Sequence, residues 1–161
     1  MQKGRWRSIS SGPIGMLAET SRELIIAEPA GTYAKRPPLV GDCSVLAAVL
    51  FDEPERNHAA EALAGMEIFA PFLIDHELVS VAVKKACQGL EEVVRQGLAD
   101  FAELDITRCP VDAVAQWRIA LEHGLSAYDA AYLQLALDLE APLATFDRHL
   151  GEAARRLLGN A

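Results

Sequence analysis

The sequence predicts an α/β fold in which a central parallel sheet of four to five short strands is flanked by helices. Short apolar stretches alternate with longer segments whose apolar residues recur at helical spacing. One or two helices separate each predicted strand from the next, which is the connection that parallel pairing requires. At 161 residues, the chain is long enough to bury a core as one domain.

The first half of the pattern begins at an apolar strand that ends at Asp42. An apolar helix follows directly, and a second helix carries its alanines on one side. The next strand is interrupted by Pro71, and Gly89 ends the long helix behind it, since glycine is favoured just beyond a helix C-terminus. The predicted strands here are residues 39–41 and 67–72, and the predicted helices are residues 44–51, 55–64 and 73–88.

The second half continues the alternation of strands and helices. Gly124 ends one helix, and Pro142 opens the last strand. The predicted strands are residues 104–107 and 143–146, and the predicted helices are residues 90–101, 111–123, 126–140 and 148–158.

The first 37 residues differ from the rest and are predicted to be an extension ahead of a domain over residues 38–161. Glycine and proline interrupt them repeatedly, so that only residues 17–27 are long enough for a short helix. Three explanations compete: a disordered tail, a helix that packs on the domain, or residues added by an upstream start codon that the fold does not need. We favour a poorly ordered extension.

Charge is distributed unevenly between these two parts. Residues 1–36 carry a net charge of +3, residues 37–161 carry −11, and the whole chain carries −8. An acidic domain is repelled by the phosphate backbone of a nucleic acid. If this domain acts on nucleic acid, a cation must mediate the contact.

Several site classes are excluded by composition. The three cysteines form no C-x-x-C pair and are interpreted as buried apolar residues, and the four histidines lack the spacing of zinc ligands. No apolar run approaches the length that spans a bilayer, and no secretory signal is present. We therefore expect a cytoplasmic protein without a membrane partner.

Four acidic residues are predicted to converge at one edge of the sheet. Asp42 and Asp147 follow the first and last strands, Asp129 lies in the first turn of the helix that feeds the last strand, and Glu77 lies on a mostly apolar helix face. Mg²⁺ prefers oxygen ligands, and two such ions activate water and stabilise the leaving oxygen of a phosphodiester. Without a cation, four clustered carboxylates would repel one another.

Each aspartate has a structural alternative. Asp42 and Asp147 precede helices, where an aspartate caps free N–H groups, and Ser126 to Asp129 matches a capping box. Glu77 resists this explanation because it lies within a helix, although Asp75 is an alternative for the inward carboxylate. We favour Glu77, since an ionised group on an apolar face is costly unless it is paired or metal-bound.

At this point the sequence resembles the PIN domains, specifically the VapC-like toxins of bacterial toxin–antitoxin pairs. The resemblance runs in order from residue 39 to about residue 157. It rests on the segments L-V-G-D-C-S-V-L from Leu39, A-P before the helix of Glu77, S-A-Y-D-A-A-Y from Ser126 and L-A-T-F-D-R from Leu143.

The resemblance implies a PIN-like three-layer sandwich and a ribonuclease that depends on Mg²⁺ or Mn²⁺. Asp42, Glu77, Asp129 and Asp147 match the acidic quartet of the family, which is both catalytic and metal-binding, and Ser44 and Thr145 match supporting hydroxyl positions. A homodimer, an RNA substrate and a cognate antitoxin are also implied. The chain departs from the family in its long extension and in Ser80, which stands where asparagine is frequent.

Four basic residues are candidates for contacts with RNA phosphates: Lys84, Lys85, Arg118 and Arg148. Tyr128 and Tyr132 are candidates for stacking on a base, although core packing is the favoured role of both. Two other functions remain open beside a ribonuclease toxin. One is an RNA-processing PIN nuclease without a toxin role, and the other is a non-catalytic acidic α/β module that binds a basic partner.

Overall fold

The computed structural model describes residues 23–27 and 36–159. Its strands are β1 (Ile25–Ala27), β2 (Pro38–Gly41), β3 (Glu67–Pro71), β4 (Ile106–Cys109) and β5 (Leu143–Thr145). Its helices are α1 (Cys43–Leu50), α2 (Arg56–Leu63), α3 (Ile74–Ala86), α4 (Glu91–Glu103), α5 (Ala113–His123), α6 (Ala127–Asp138) and α7 (Arg148–Leu158). The predicted elements after residue 38 are therefore all present, with ends shifted by at most three residues.

The five strands form one sheet in the order β1-β5-β2-β3-β4. Strands β5, β2, β3 and β4 pair in parallel, as the α/β pattern predicts. Adjacent residues of a strand belong to different apolar clusters. Val40 and Leu143 lie in the larger cluster, and Leu39 and Ala144 lie in the smaller one. Both faces of the sheet are thus covered, which confirms the three-layer α/β sandwich.

Strand β1, which forms one edge of the sheet, was not predicted. Residues 25–27 lie antiparallel to β5, with Ile25 opposite Thr145 and Ala27 opposite Leu143. Residues 25–27 of the possible short helix over 17–27 are therefore a strand, because pairing with an open sheet edge outweighs local helical preference. The predicted poor order of the extension falls largely on residues 1–22 and 28–35, which lie outside the described residues. The domain boundary at residue 38 stays a prediction.

Strand β1 packs tightly against the last helix. The Ile25 side chain is fully buried, and a Cβ atom built on Gly151 of α7 would lie 2.3 Å from its Cδ1 atom and 2.7 Å from its Cγ2 atom. Only a glycine permits this approach, so residues 23–27 belong to the packed structure.

We expect Gly151→Ala to lower the free energy of unfolding by about 1–3 kcal/mol. The added methyl group collides with Ile25, and this cost exceeds the roughly 1 kcal/mol that alanine normally contributes over glycine within a helix. Urea unfolding measures the difference. The control Glu152→Ala changes a neighbouring solvent-facing residue and should shift stability by less than about 0.5 kcal/mol. A Gly151→Ala protein more stable than the wild type would contradict the packing of β1 on α7.

Within residues 23–27 and 36–159, no helix combines the length and the apolar character needed to cross a membrane.

Candidate metal centre

Asp42 lies at the carboxyl end of β2, the middle strand of the sheet, and caps the N-terminus of α1. Its side chain is buried and accepts hydrogen bonds on Oδ2 from Ser44 Oγ at 2.6 Å and from Thr145 Oγ1 at 2.8 Å. Burial raises the pKa of this carboxyl, and the two hydroxyl groups offset part of that effect. The hydrogen bonds to this carboxylate therefore offset only part of the cost of removing its charge from water.

The two hydroxyl groups are oriented by the backbone of the loop after β5. Ser44 Oγ accepts from the Phe146 N–H at 2.9 Å, and Thr145 Oγ1 accepts from the Asp147 N–H at 2.9 Å. Because each oxygen already accepts an N–H, its own proton is free to point at Asp42. Ser44 and Thr145 therefore support Asp42 and join the ends of two neighbouring strands.

Glu77 reaches the same edge of the sheet from the first half of α3. It is half-buried, and its Oε2 atom accepts a hydrogen bond from Tyr132 Oη at 2.5 Å. Burial raises the pKa of Glu77 to about 7; the hydrogen bond from Tyr132 lowers it, and the charges of Asp42 and Asp129 raise it further. Both aspartates are therefore near enough to Glu77 for their charges to act on it.

Asp75, the alternative to Glu77, has a different role. Arg108 on β4 donates from Nε to both of its carboxylate oxygens at 2.9 Å, and the guanidinium also lies over the ring of Phe101. This ion pair joins the start of α3 to strand β4. Asp75 is thus engaged by Arg108, and the choice of Glu77 as the inward carboxylate stays a prediction.

Asp129 lies in the first turn of α6 and is partly exposed. Ser126 Oγ accepts from the Asp129 N–H at 3.0 Å and donates to Asp129 Oδ2 at 2.7 Å, so the predicted capping pattern forms. The cap does not exclude a role in the site, because the charge of Asp129 acts on Glu77. Capping fixes the position of this carboxylate at the mouth of the site.

Asp147 is also a helix cap. Its Oδ1 atom accepts from the Leu150 N–H at 2.8 Å at the start of α7, and its side chain is exposed. The structure connects it to Asp42 through Thr145, whereas the charges of Asp42 and Asp129 both act on Glu77. Asp147 is thus linked to Asp42 by hydrogen bonds, and Glu77 is linked to the other two acids by charge.

The donor chemistry of this cluster fits a hard divalent cation. In the described part of the chain, none of the four carboxylates forms an ion pair with a lysine, arginine or histidine. However, no three aspartate, glutamate, histidine or cysteine side chains there stand close enough together to hold a metal as they are. Binding of a cation would therefore require the more exposed carboxylates to move toward the buried Asp42.

A cleft of about 470 Å³ opens beside Glu77 and is lined by residues that include Cys43, Leu73, Ser80, Lys84 and Tyr128. The Ser80 hydroxyl donates to the carbonyl of His76 at 2.8 Å, so it serves its own helix. Cys43 is buried as predicted, and burial together with the charge of Asp42 raises the pKa of its thiol. Cys87, in contrast, is exposed.

The four basic residues proposed for RNA contacts lie in different surroundings. Lys84 lines the cleft, whereas the Lys85 ammonium pairs with Glu53 at 2.8 Å and is largely buried. Arg148 is exposed beside Asp147 and lies 3.9 Å from Glu152, and Arg118 is exposed on α5. Lys84 and Arg148 are therefore the two placed to meet a phosphate near the acids.

The sequence pattern did not reveal the two roles of the tyrosines of α6. Tyr132 is buried in the core as predicted, but its hydroxyl also binds Glu77. Tyr128, for which core packing was favoured, is 62 % exposed at the cleft. Helical spacing predicts where both rings lie along α6, but only the structure shows which of them is exposed to solvent.

In the metal-free protein, we expect stability to fall as pH rises from about 4.5 to about 7. The ordinary pKa of glutamate is 4.5 and that of Glu77 in the fold is about 7. Between these values the folded protein keeps a proton that the unfolded chain has lost, so raising the pH favours unfolding. Above this window both states are ionised and this contribution is constant.

Urea unfolding of the wild type and of Glu77→Gln across this pH range measures the effect. Glutamine keeps the shape and cannot titrate, so the variant should gain stability relative to the wild type as pH rises through the window. A difference between the two proteins that does not change with pH would contradict the burial of the Glu77 carboxyl. All samples contain a chelator so that bound metal does not compete with the proton.

Comparisons with known proteins identify the family and the fold. A family model described as PIN domain matches residues 39–156. Ribonuclease VapC9 of Mycobacterium tuberculosis is 29 % identical over 73 % of this chain and 91 % of its own, and Ribonuclease VapC3 of Pyrobaculum aerophilum is 31 % identical over 71 % and 92 %. The crystal structure of PAE2754 from Pyrobaculum aerophilum shares the fold, with a TM-score of 0.58, 21 % identity and coverage of 77 % of this chain and 88 % of that one.

Proposed function

Because this chain belongs to the PIN domain family, we propose that it is a divalent-metal-dependent endoribonuclease that hydrolyses phosphodiester bonds of RNA. The observation that supports this proposal is the buried Asp42, held by two hydroxyl groups at the carboxyl end of the central strand, together with the charges of Asp42 and Asp129 that act on Glu77. The relatives VapC9 and VapC3 are named ribonucleases, which supports RNA as the substrate.

The metal would be held by Asp42, Glu77 and Asp129, with Asp147 completing the set from the border of the cluster. Mg²⁺ or Mn²⁺ suits these oxygen donors and supplies activation of a water molecule and stabilisation of the leaving oxygen. The protein's own part is to hold Asp42 rigid through Ser44 and Thr145 and to keep the site largely desolvated. Lys84 and Arg148 would steady the phosphate backbone beside the acids without reading base sequence.

The acidic character of the domain agrees with this role. Residues 37–161 carry a net charge of −11, which repels RNA at long range. A bound divalent cation reverses the local potential where the scissile phosphate must approach. Metal would therefore be needed for RNA binding near the site as well as for chemistry.

We further propose that the ribonuclease is the toxin of a toxin–antitoxin pair and is inhibited by a cognate antitoxin in the cytoplasm. The support is the naming of the relatives as VapC ribonucleases. The alternative is an RNA-processing PIN nuclease without a toxin role. A small antitoxin gene overlapping this one favours the toxin, and growth arrest on expression that the neighbouring gene relieves would establish it.

A homodimer is the proposed assembly. Helix α5 exposes Val114, Trp117 and Leu121 at a spacing that puts them on one side, and α3 exposes Val79 and Val83. Exposed apolar stripes of this kind are typical of surfaces that pack against a partner. Sedimentation analysis at micromolar concentration distinguishes a dimer from a monomer.

The proposed activity is tested by an RNA-cleavage assay in chelator, in Mg²⁺ and in Mn²⁺. Cleavage should require metal and should return when metal is restored to the chelated protein. Absence of metal-dependent cleavage, together with no divalent ion bound at millimolar concentration, would favour the non-catalytic acidic binding module instead.

A further inference from the structure

One hydroxyl group at the centre of the site belongs to none of the acidic or supporting positions. Tyr132 is completely buried in α6, and its Oη atom lies 2.5 Å from Oε2 of Glu77, a residue 55 positions away in the chain. A buried tyrosine usually finds a partner for its hydroxyl. The partner here is a proposed metal ligand, which connects a core residue to the function of the site.

The Tyr132 hydroxyl donates this hydrogen bond and Glu77 Oε2 accepts it. Both groups lie within the packed structure, since Tyr132 is buried and Glu77 is half-buried. A neutral hydroxyl donor holds a carboxylate in place without adding charge to an already acidic site.

This bond restricts the orientation of Glu77. Glutamate has three side-chain torsions, and a hydrogen bond to its carboxylate limits the rotamers that it can adopt. In the described residues, Tyr132 is the one side chain that donates a hydrogen bond to it. The bond uses one lone pair of Oε2, so the carboxylate keeps others for a further ligand.

Helix α6 therefore contributes to the site twice. Asp129 and Tyr132 are three residues apart, which puts them on the same side of the helix. The charge of Asp129 acts on Glu77, and Tyr132 donates a hydrogen bond to the same residue on α3. A shift of α6 would therefore move Asp129 and disturb the hydrogen bond to Glu77 at the same time.

We infer that Tyr132 is a positioning residue whose hydroxyl group holds Glu77 in the orientation that binds a divalent cation. The inference rests on the proposed metal-dependent function and assigns to Tyr132 a role beyond core packing. Partners that orient metal ligands typically contribute 10- to 100-fold to metal affinity.

The test compares Mn²⁺ affinity of the full chain in the wild type, Tyr132→Phe and Tyr128→Phe, by the electron paramagnetic resonance signal of free Mn²⁺. Tyr132→Phe keeps the ring and removes the hydroxyl, so we expect Mn²⁺ affinity to fall about 10- to 100-fold. Tyr128→Phe makes the same change one turn earlier in α6, on an exposed ring, and should leave Mn²⁺ affinity unchanged.

A double-mutant cycle with Glu77→Gln separates positioning from general disturbance of the core. If Tyr132 acts through Glu77, then Tyr132→Phe should have less than about a twofold further effect on Mn²⁺ affinity in the Glu77→Gln background. Equal losses in both backgrounds, or no loss in the wild-type background, would overturn the inference. A wild type that binds no Mn²⁺ would overturn the proposed metal function itself, and the inference with it.

A second measurement covers the case in which Tyr132→Phe does not fold. Binding of Mg²⁺ to the wild type should change the ultraviolet difference spectrum of a buried tyrosine, since the charge on Glu77 is then shared with the cation. Tyr128→Phe should give the same change. Mg²⁺ binding without any tyrosine difference signal would overturn the role of Tyr132.

Discussion

Asp42→Asn is expected to lower the rate of RNA cleavage by at least about a thousandfold while leaving the protein folded. A bound metal contributes several kcal/mol to the transition state of phosphodiester hydrolysis, and about 4 kcal/mol corresponds to a thousandfold in rate. Asp42 is the most buried of the four acids and the one fixed by two hydroxyl groups, so we propose it as the anchor of the metal. An amide in its place cannot supply the negative charge.

The fold should tolerate this change. Asparagine caps a helix as well as aspartate does, and its amide oxygen can accept from Ser44 and Thr145. Burial disfavours the charge of Asp42, so neutralising it removes a cost that the folded protein now bears. We therefore expect the metal-free variant to melt at or above the temperature of the wild type.

The measurement is cleavage of a labelled RNA in Mg²⁺ and in Mn²⁺, with thermal melting of the same samples. The matched control is Asp112→Asn, which makes the same substitution at the N-cap of α5, where the side chain accepts from the Ala115 N–H. Its cleavage should stay within about twofold of the wild type, since its charge has no part in the site. Equal activity of Asp42→Asn and Asp112→Asn would remove Asp42 from the proposed centre.

The sheet and its helices could be predicted because their signals are local. Apolar periodicity, the glycine that ends α5 and the aspartates that open α1 and α7 each act within a few residues of the chain. The position of Asp42 followed from the same reasoning, since a residue after a central parallel strand lies at the edge where ligands bind. Backbone topology alone thus brings this acid to the candidate site.

The remaining features depend on contacts between distant segments. The sequence allowed either Asp75 or Glu77 to face inward, and Arg108, which lies on β4, binds Asp75. The hydroxyl of Tyr132 meets Glu77 across 55 residues, and no periodicity encodes such a pair. Strand β1 likewise forms only because β5 offers an open edge and Gly151 leaves room for Ile25.

Capping and metal binding are compatible in this fold, although from sequence they competed as explanations. Asp42, Asp129 and Asp147 all stand at helix N-termini. Backbone N–H groups donate to the carboxylates of Asp42 and Asp147, whereas the Asp129 carboxylate accepts from the Ser126 hydroxyl group. Each cap uses one side of the carboxylate or its backbone, which leaves oxygen lone pairs for a further ligand. The same carboxylates that serve the helix ends would therefore remain available to hold a divalent cation.

Asp129→Asn is expected to lower RNA cleavage by at least about a hundredfold, with a change in unfolding free energy of less than about 1 kcal/mol. The amide keeps the size of the carboxylate and can still accept from Ser126 Oγ, so the capping box persists. What is lost is a negative charge that now acts on Glu77 from the mouth of the site. Metal affinity should weaken for the same reason.

Asp138→Asn is the matched control, because it makes the same substitution at the far end of the same helix, where Gln134 is the partner of the side chain. It should leave cleavage unchanged. A second readout does not depend on catalysis: without Asp129 the pKa of Glu77 should fall below about 7, since one of the charges that raise it is gone. Retained cleavage by Asp129→Asn, together with an unchanged pKa of Glu77, would leave Asp129 as a helix cap alone. The reason is that neutralising a ligand of the cation must also affect Glu77, the neighbouring ligand.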